Sequence, residues 1–315
     1  MTTSLITSER YKNHITGPGF PESPERLEAI LEYLESTGLI NELDVVEPVR
    51  KDKSFCKLVH DDEFITRVRQ ACELGAPIVD TGDNPISKDS YDTALLAVGG
   101  ITEAIDKIFI GKTNNAMALL RPPGHHAEKE MAMGFCLFNN VAIAARYAQQ
   151  NYEVERVAII DFDVHHGNGT QHIFESDPTV MYASLHQYPF YPGTGATEET
   201  GIGEGKGTTF NYPLNYGDGD DIFIDIFDNS LSDKILKYDP DLILVSAGFD
   251  AHLDDPIGGL NVTTNGFFNM SNILVKLADE VCSGKIVSSL EGGYNLKALA
   301  ESVEVHLLAL QGKSL

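Results

Sequence analysis

Five short runs of the chain are apolar at successive positions and rich in Val, Ile and Leu: residues 116–120, 157–160, 180–184, 242–246 and 286–290. Between and before them, apolar residues recur at three- and four-residue intervals over residues 24–36, 61–74, 90–109, 139–149, 222–237, 265–278 and 296–310. That spacing lays one helix face against a core. Strands that are apolar throughout, rather than at alternate positions, belong to a sheet covered on both faces. The pattern therefore predicts an α/β fold, a mostly parallel sheet between helices in three layers.

In such sheets, sites gather beyond the carboxyl ends of the strands. Each apolar run is followed by residues that a core would not select: Arg121-Pro122-Pro123-Gly124-His125-His126, Asp161-Phe162-Asp163-Val164-His165-His166-Gly167, Leu185-His186, Ala247-Gly248-Phe249-Asp250 and Glu291-Gly292-Gly293-Tyr294. Gly and Pro beside them suit tight loops at a rim.

Asp161, Asp163 and His165 are spaced i, i+2, i+4, so an extended strand end would project all three to one face and Phe162 and Val164 to the other. Capping of the next helix is the plainer role for such residues, but the density of ligand types favours a metal. Asp250, from a second loop, can complete the shell. Three protein ligands and a fourth position for water are the arrangement of a catalytic zinc. Two carboxylates and one imidazole are also compatible with iron(II) or cobalt(II). Asp161 then reads as an outer residue that orients a histidine.

The pair His125-His126 could be metal ligands, core histidines or acid/base groups. With three ligands supplied elsewhere, proton transfer is the open role: attacking water must lose a proton and a departing amine must gain one. Tyr294 is placed to donate its hydroxyl to a carbonyl oxygen as charge develops there. Phe135 and Tyr191, on separate loops, are candidates for the walls of a narrow channel, although isolated aromatics more often serve packing.

Composition narrows the class. An apolar content of 42% over 315 residues can bury a large core, and no linker-like stretch divides motifs that run from Arg121 to Asn295. One domain over residues 1–315 is expected. A net charge of −24 argues against a nucleic-acid partner and favours encounter with cations. No segment has the charge and apolar length of a membrane span or signal peptide. The four cysteines form no CxxC pair, so reduced thiols in a cytoplasmic protein are the simplest reading.

The strings RPPGHHA, GFCLFNN, DFDVHHGNGTQ, YPGTG, SAGFDAH and EGGYN, in this order and spacing, resemble the zinc-dependent histone deacetylase family, which includes bacterial histone deacetylase-like amidohydrolases and acetylpolyamine amidohydrolases. The resemblance runs from about Pro21 to the C-terminus. It implies the arginase/deacetylase fold, with a parallel sheet of eight strands between helices, and the deacylation of acyl-lysine or an acylated polyamine. It further implies zinc on Asp163, His165 and Asp250, His126 as general base and acid, His125 as its electrostatic partner linked to Asp161, and Tyr294 as the carbonyl-polarising tyrosine. Phe135 and Tyr191 match the aromatics that flank the acyl-lysine tunnel. Gly134 matches a residue whose carbonyl meets the substrate amide nitrogen, Gly293 lies in the substrate-lining turn, and Asp83 matches the rim aspartate through a gapped alignment. Structural potassium or sodium is implied at Asp161, Asp163, His165, Ser184 and Leu185, and again at Phe174, Asp177 and Val180.

Three positions set this chain apart. Asn168 stands where some relatives place an aspartate behind the second histidine, and an amide raises the histidine's basicity less than a carboxylate would. Tyr191 replaces the more usual phenylalanine, and Phe20 a frequent histidine. Competing expectations are an acetylpolyamine amidohydrolase, a two-metal arginase-like enzyme and a non-catalytic acyl-lysine-binding module. The sequence leaves both a monomer and a homo-oligomer open.

Overall fold

A computed structural model describes residues 2–315. In chain order its strands are β1 (Thr3–Ile6), β2 (Asp44–Val46), β3 (Asn115–Ala118), β4 (Val157–Asp161), β5 (Val180–Gln187), β6 (Thr209–Leu214), β7 (Leu242–Ala247) and β8 (Ile286–Leu290). They form one sheet in the order β2-β1-β3-β8-β7-β4-β5-β6, and every pairing is parallel. Every residue of β3, β4, β5, β7 and β8 is buried, as apolar runs flanked by helices on both faces require.

The longer helices are α1 (Glu25–Thr37), α2 (Asp62–Glu73), α3 (Ser90–Phe109) and α4 (Asn140–Asn151), followed by the short α5 (Asn168–Phe174), α6 (Asp220–Ile226) and α7 (Ser232–Tyr238), then α8 (Thr264–Cys282) and α9 (Leu296–Leu310). One layer is built from α1, α9 and α8, which pack in that order, and α3 packs on α4 elsewhere. Side-chain caps mark three starts: Asn139, Thr263 and Asn295 each accept the backbone N–H three residues on. No helix among the described residues is long and apolar enough to cross a membrane.

The structure differs from the pattern in three places. The periodic run 222–237 is not one helix: α6 and α7 are joined by a π turn, Phe227–Leu231, where Ser232 Oγ donates to the Phe227 carbonyl at 2.5 Å and the widened turn spares the i−4 bond. Strands β1, β2 and β6 carry no apolar run. Ser4 of β1 is buried because its hydroxyl bonds Asp44 of β2 at 2.8 Å, and β6 contains Pro213, which an edge strand tolerates. Finally, β4 ends at Asp161, so Asp163 and His165 sit on the bend beyond it rather than on a strand end. Phe162 and Val164 nevertheless turn into the core, which leaves the three polar side chains on the other side.

Candidate active site

The chain crosses from one half of the sheet to the other between β3 and β4, with β8 and β7 between them. Loops after these four central strands converge at the carboxyl end, the switch point where α/β sheets bind ligands.

The bend after β4 carries Asp163 and His165, and the turn after β7 carries Asp250. One ligand atom from each of the three lies within 4.8 Å of the others. His165 Nδ1 faces both carboxylates, 3.0 Å from Asp163 Oδ1 and 3.3 Å from Asp250 Oδ2. Backbone donors hold the outer oxygens: Gly292 N–H binds Asp163 Oδ2 at 2.8 Å, and Val164 N–H binds Asp250 Oδ1 at 2.8 Å. Asp250 Oδ2 is buried without a hydrogen-bond donor, an arrangement that is costly unless something else meets the oxygen. Burial and the charge of Asp163 push the Asp250 carboxyl up to about 7. Two carboxylates so placed resist joint ionisation until a cation joins them. A Cβ on Gly248 would run into Asp163, and one on Gly292 into both carboxylates. The donor set, the orphaned oxygen and the glycine floor all fit a divalent ion.

A second trio, His125, Cys136 and Glu291, is equally close, but it is internally occupied. Burial pushes the Cys136 thiol well above its ordinary value, and Glu291 Oε2 accepts the N–H groups of Gly124 (2.7 Å) and His125 (3.1 Å).

His125 and His126 lie side by side with ring centroids 4.0 Å apart. His125 Nδ1 is 3.1 Å from Asp161 Oδ2, which also accepts the Tyr182 hydroxyl. Burial works against a charged His125, yet Asp163 and Asp161 outweigh it and raise its value to about 10. His126 behaves oppositely: burial, then the neighbouring His125 and His165, hold it well below the ordinary histidine value. His126 Nδ1 is 2.7 Å from Asn168 Oδ1 at the start of α5.

Three aromatic residues near His126, namely Phe135, Tyr191 and Tyr294, come from three loops. Gly134 and Phe135 are consecutive left-handed residues, φ 58° and 69°. A Cβ on Gly134 would strike the His126 ring, so the chain passes close to the histidine there and Phe135 adopts a conformation rare for a large side chain. Phe135 stands edge-on to Tyr294 at 6.0 Å, and Tyr191 edge-on to His126 at 5.1 Å. The Tyr191 hydroxyl donates to Asp83 Oδ2 at 2.9 Å, and the same oxygen accepts Gly134 N–H at 3.2 Å. Asp83 thus ties the Tyr191 loop to the Gly134–Phe135 turn. Tyr294 is held by its backbone N–H on Asp255 Oδ2 at 2.7 Å and lies beneath the Arg26 guanidinium. Arg26 in turn donates to the carbonyls of Gly293 (2.7 Å) and Glu291 (2.5 Å).

The residues implied for monovalent cations fall at two sites. Asp161 of β4 pairs directly with Ser184 of β5, next to Leu185. Phe174, Asp177 and Val180 share the turn between α5 and β5, where Asp177 N–H binds the Phe174 carbonyl at 2.9 Å and the Arg146 guanidinium binds the Asp177 carboxylate.

Several residues at the site have neighbours that the sequence does not indicate, Phe20 among them although its position stands out. Phe190 stacks on His165 with centroids 5.3 Å apart. Phe20 packs edge-on against Phe135 at 4.9 Å and lines a cavity of about 480 Å³ that reaches Tyr294. Glu128 binds Asn168. Each acts from a loop distant in sequence from its partner, so no local spacing reveals it.

Comparison with known proteins agrees with this geometry. A histone deacetylase domain profile matches residues 20–310. The chain belongs to the histone deacetylase family. Histone deacetylase 10, chloroplastic, of Oryza sativa subsp. japonica is 39% identical over 93% of this chain and 70% of that protein. A probable deacetylase of Archaeoglobus fulgidus is 36% identical over 98% and 86%. The polyamine deacetylase HDAC10 of Danio rerio is 38% identical over 96% of this chain but only 46% of its own length. The crystal structure of the HDA15 HD domain superposes with a TM-score of 0.93 at 36% identity, covering 99% of this chain and 90% of the other. The sheet described above is therefore the α/β fold of a histone deacetylase domain, and the chain is a hydrolase of that family.

Proposed function

We propose that this histone deacetylase family member hydrolyses N-acyl amides, with acyl-lysine side chains as the preferred substrate class and zinc as the bound ion. The observation that carries the reading is the buried, incompletely satisfied Asp163–His165–Asp250 cluster, with neutral His126 and the Tyr294 ring at its edge. A divalent ion there would polarise the acyl carbonyl and increase the acidity of water.

The chain's own residues supply the rest. Unprotonated His126 accepts the proton from attacking water and returns it to the departing amine. Charged His125, paired with Asp161, sits against the His126 ring and keeps it from protonating early. The Tyr294 hydroxyl hydrogen-bonds the carbonyl oxygen as it gains negative charge. Phe135 and Tyr191 flank a slender alkyl chain, Gly134 offers its carbonyl to the amide nitrogen, and Gly293 lines the turn beside it. Potassium or sodium at Asp161, Asp163, His165, Ser184 and Leu185, and at Phe174, Asp177 and Val180, would stiffen the loops that carry the site.

An acylated polyamine is the second reading, favoured by the net charge of −24 and the 38% identity to a protein named polyamine deacetylase. Comparison of kcat/KM for an acetyl-lysine peptide and acetylputrescine, with and without chelator, tests both. We expect the peptide to be preferred and chelator to abolish turnover. Chelator-insensitive turnover of either substrate would refute the metal reading, and preference for acetylputrescine would move the substrate to the polyamine class.

A further inference from the structure

We propose that Glu128 is a positioning residue for the reaction: it fixes the orientation of the Asn168 amide and, through that amide, the tautomer of His126. The inference deepens the reading of His126 as the base and rests on it.

A base needs a free lone pair on the ring nitrogen that meets the substrate, and a neutral imidazole has one such nitrogen, set by which of the two carries the proton. His126 Nδ1 is 2.7 Å from the Asn168 side chain. An amide offers two opposite faces to such a partner. Its oxygen would require a proton on Nδ1 and leave Nε2 free for catalysis. Its NH2 group would require a lone pair on Nδ1, placing the proton on Nε2 and disabling the base. Contact between the two residues does not decide between these arrangements. The surroundings of the other end of the amide do.

Every group around that other end is an acceptor. Glu128 Oε1 lies 2.5 Å from Asn168 Nδ2, the His126 carbonyl lies 3.4 Å away, and Met133 Sδ lies 3.3 Å away. A carboxylate has no hydrogen to give, so it binds only the NH2 group. Asn168 Oδ1 must then face His126, whose Nδ1 must carry the proton. Nε2, which has no hydrogen bond to protein among the described residues, keeps its lone pair.

The carboxylate is itself held in place. The Glu128 backbone N–H binds the Met131 carbonyl at 2.9 Å, and its carbonyl is 2.9 Å from His60 Nδ1. His172, half-exposed at the protein surface, lies with Nδ1 2.8 Å from the same Oε1. The bond to Glu128 raises the histidine's affinity for a proton, and the imidazole N–H anchors the carboxylate from the surface side. The chain of contacts runs from the surface to the base: His172, Glu128, Asn168, His126. An aspartate at position 168 would set the same tautomer by direct contact and would make the imidazole more basic. The relay sets the tautomer with a neutral group against the ring.

The test uses zinc-loaded protein with 15N-labelled histidine, the His126 signals being assigned by their absence in His126→Ala. Nitrogen shifts report which ring atom is protonated, and this readout does not depend on substrate. We expect the Nδ1–H form in the wild type, and a mixture or the Nε2–H form in Glu128→Leu. That variant should also lose about tenfold or more in kcat on an acetyl-lysine peptide, with KM changing less than about twofold. Glu128→Gln keeps an acceptor oxygen and should restore the Nδ1–H form and most of the rate. Asn168→Leu cuts the link at its other end and should lose the tautomer as Glu128→Leu does, so a poorly folded Glu128 variant does not leave the matter open. Persistence of the Nδ1–H form with unchanged kcat in Glu128→Leu at equal zinc content would overturn the proposal. Wild-type protein inactive on every acyl amide would instead overturn the functional reading, while the nitrogen shifts would still decide the tautomer.

Discussion

Two clusters of charge are sealed inside this protein, and they are completed to different degrees. In the first, Glu22 is shared by Arg121 and Arg26, all three fully buried. Arg121 grips both carboxylate oxygens and donates to the carbonyls of Tyr11 and His14. Arg26 adds the carbonyls of Glu291 and Gly293. Planar donors meet matched acceptors, as a buried ion cluster requires. In the second, Asp163 and Asp250 face one imidazole, and an Asp250 oxygen makes no hydrogen bond, the nearest nitrogen being the His165 Nδ1 that already meets Asp163. The saturated cluster is complete without a guest. The unsaturated one has the unmet bonds on which the proposed cation site rests, so the two differ in unmet bonds rather than in burial.

That contrast can be broken from either side. The largest effect is expected at the unsaturated cluster: Asp250→Asn should lower turnover by about 10³-fold or more, the several kcal/mol a Lewis acid contributes, with metal content measured in parallel and the melting temperature little changed. Normal metal content with normal rate would remove the cluster from the reaction.

At the saturated cluster the loss should appear in stability. Arg121→Met strands a buried carboxylate and should cost about 3–5 kcal/mol in denaturant unfolding. The pH response follows from the same pairing. Burial alone would raise Glu22, but Arg121 overrides it and holds the carboxyl at about 2 against an ordinary 4.5. A depressed acid stabilises the fold above its unfolded value and loses that contribution as pH falls through the folded one, so roughly 3 kcal/mol should vanish between about pH 4.5 and 2. His14, which burial holds near 4, begins its own loss at higher pH because the unfolded chain takes up that proton first. Thermal melts across pH should show this acid limb, flattened in Arg121→Met.

Smaller in free energy, though still large in rate, are the effects expected at the groups proposed to react. His126→Ala and Tyr294→Phe should each lower kcat by at least about 10²-fold while the protein melts as the wild type does. Near-normal turnover in either variant would separate that residue from the chemistry.

The sequence made the central strands and the rim legible for one physical reason. Strands covered on both faces are mostly apolar, so the charged Arg121, Asp161, Asp250 and Glu291 stand out at their carboxyl ends. The same reasoning was blind where another force decides. Ser4 is buried with a hydrogen bond to Asp44, β6 lies at an edge that tolerates Pro213, and the π turn carries a bond from the Ser232 hydroxyl to the Phe227 carbonyl. At the site, His125, His126, Asp161, Asp163, His165, Asp250 and Tyr294 could be proposed because each follows a strand. Glu128, Phe190, the contact of Phe20 with Phe135 and the tie of Asp83 to Tyr191 could not, because they join loops whose meeting depends on the whole fold.

Gly248 and Gly292 bring bare main chain from two neighbouring strands flush against the Asp163 and Asp250 carboxylates. The seat proposed for the ion is thus moulded by absent side chains as much as by present ones. A single methyl group on Gly292 would displace both acids at once, and one on Gly248 would displace Asp163, where an exchanged ligand alters one. Laboratory evolution toward a different metal has room to vary the coordinating residues and almost none to vary the two glycines beneath them.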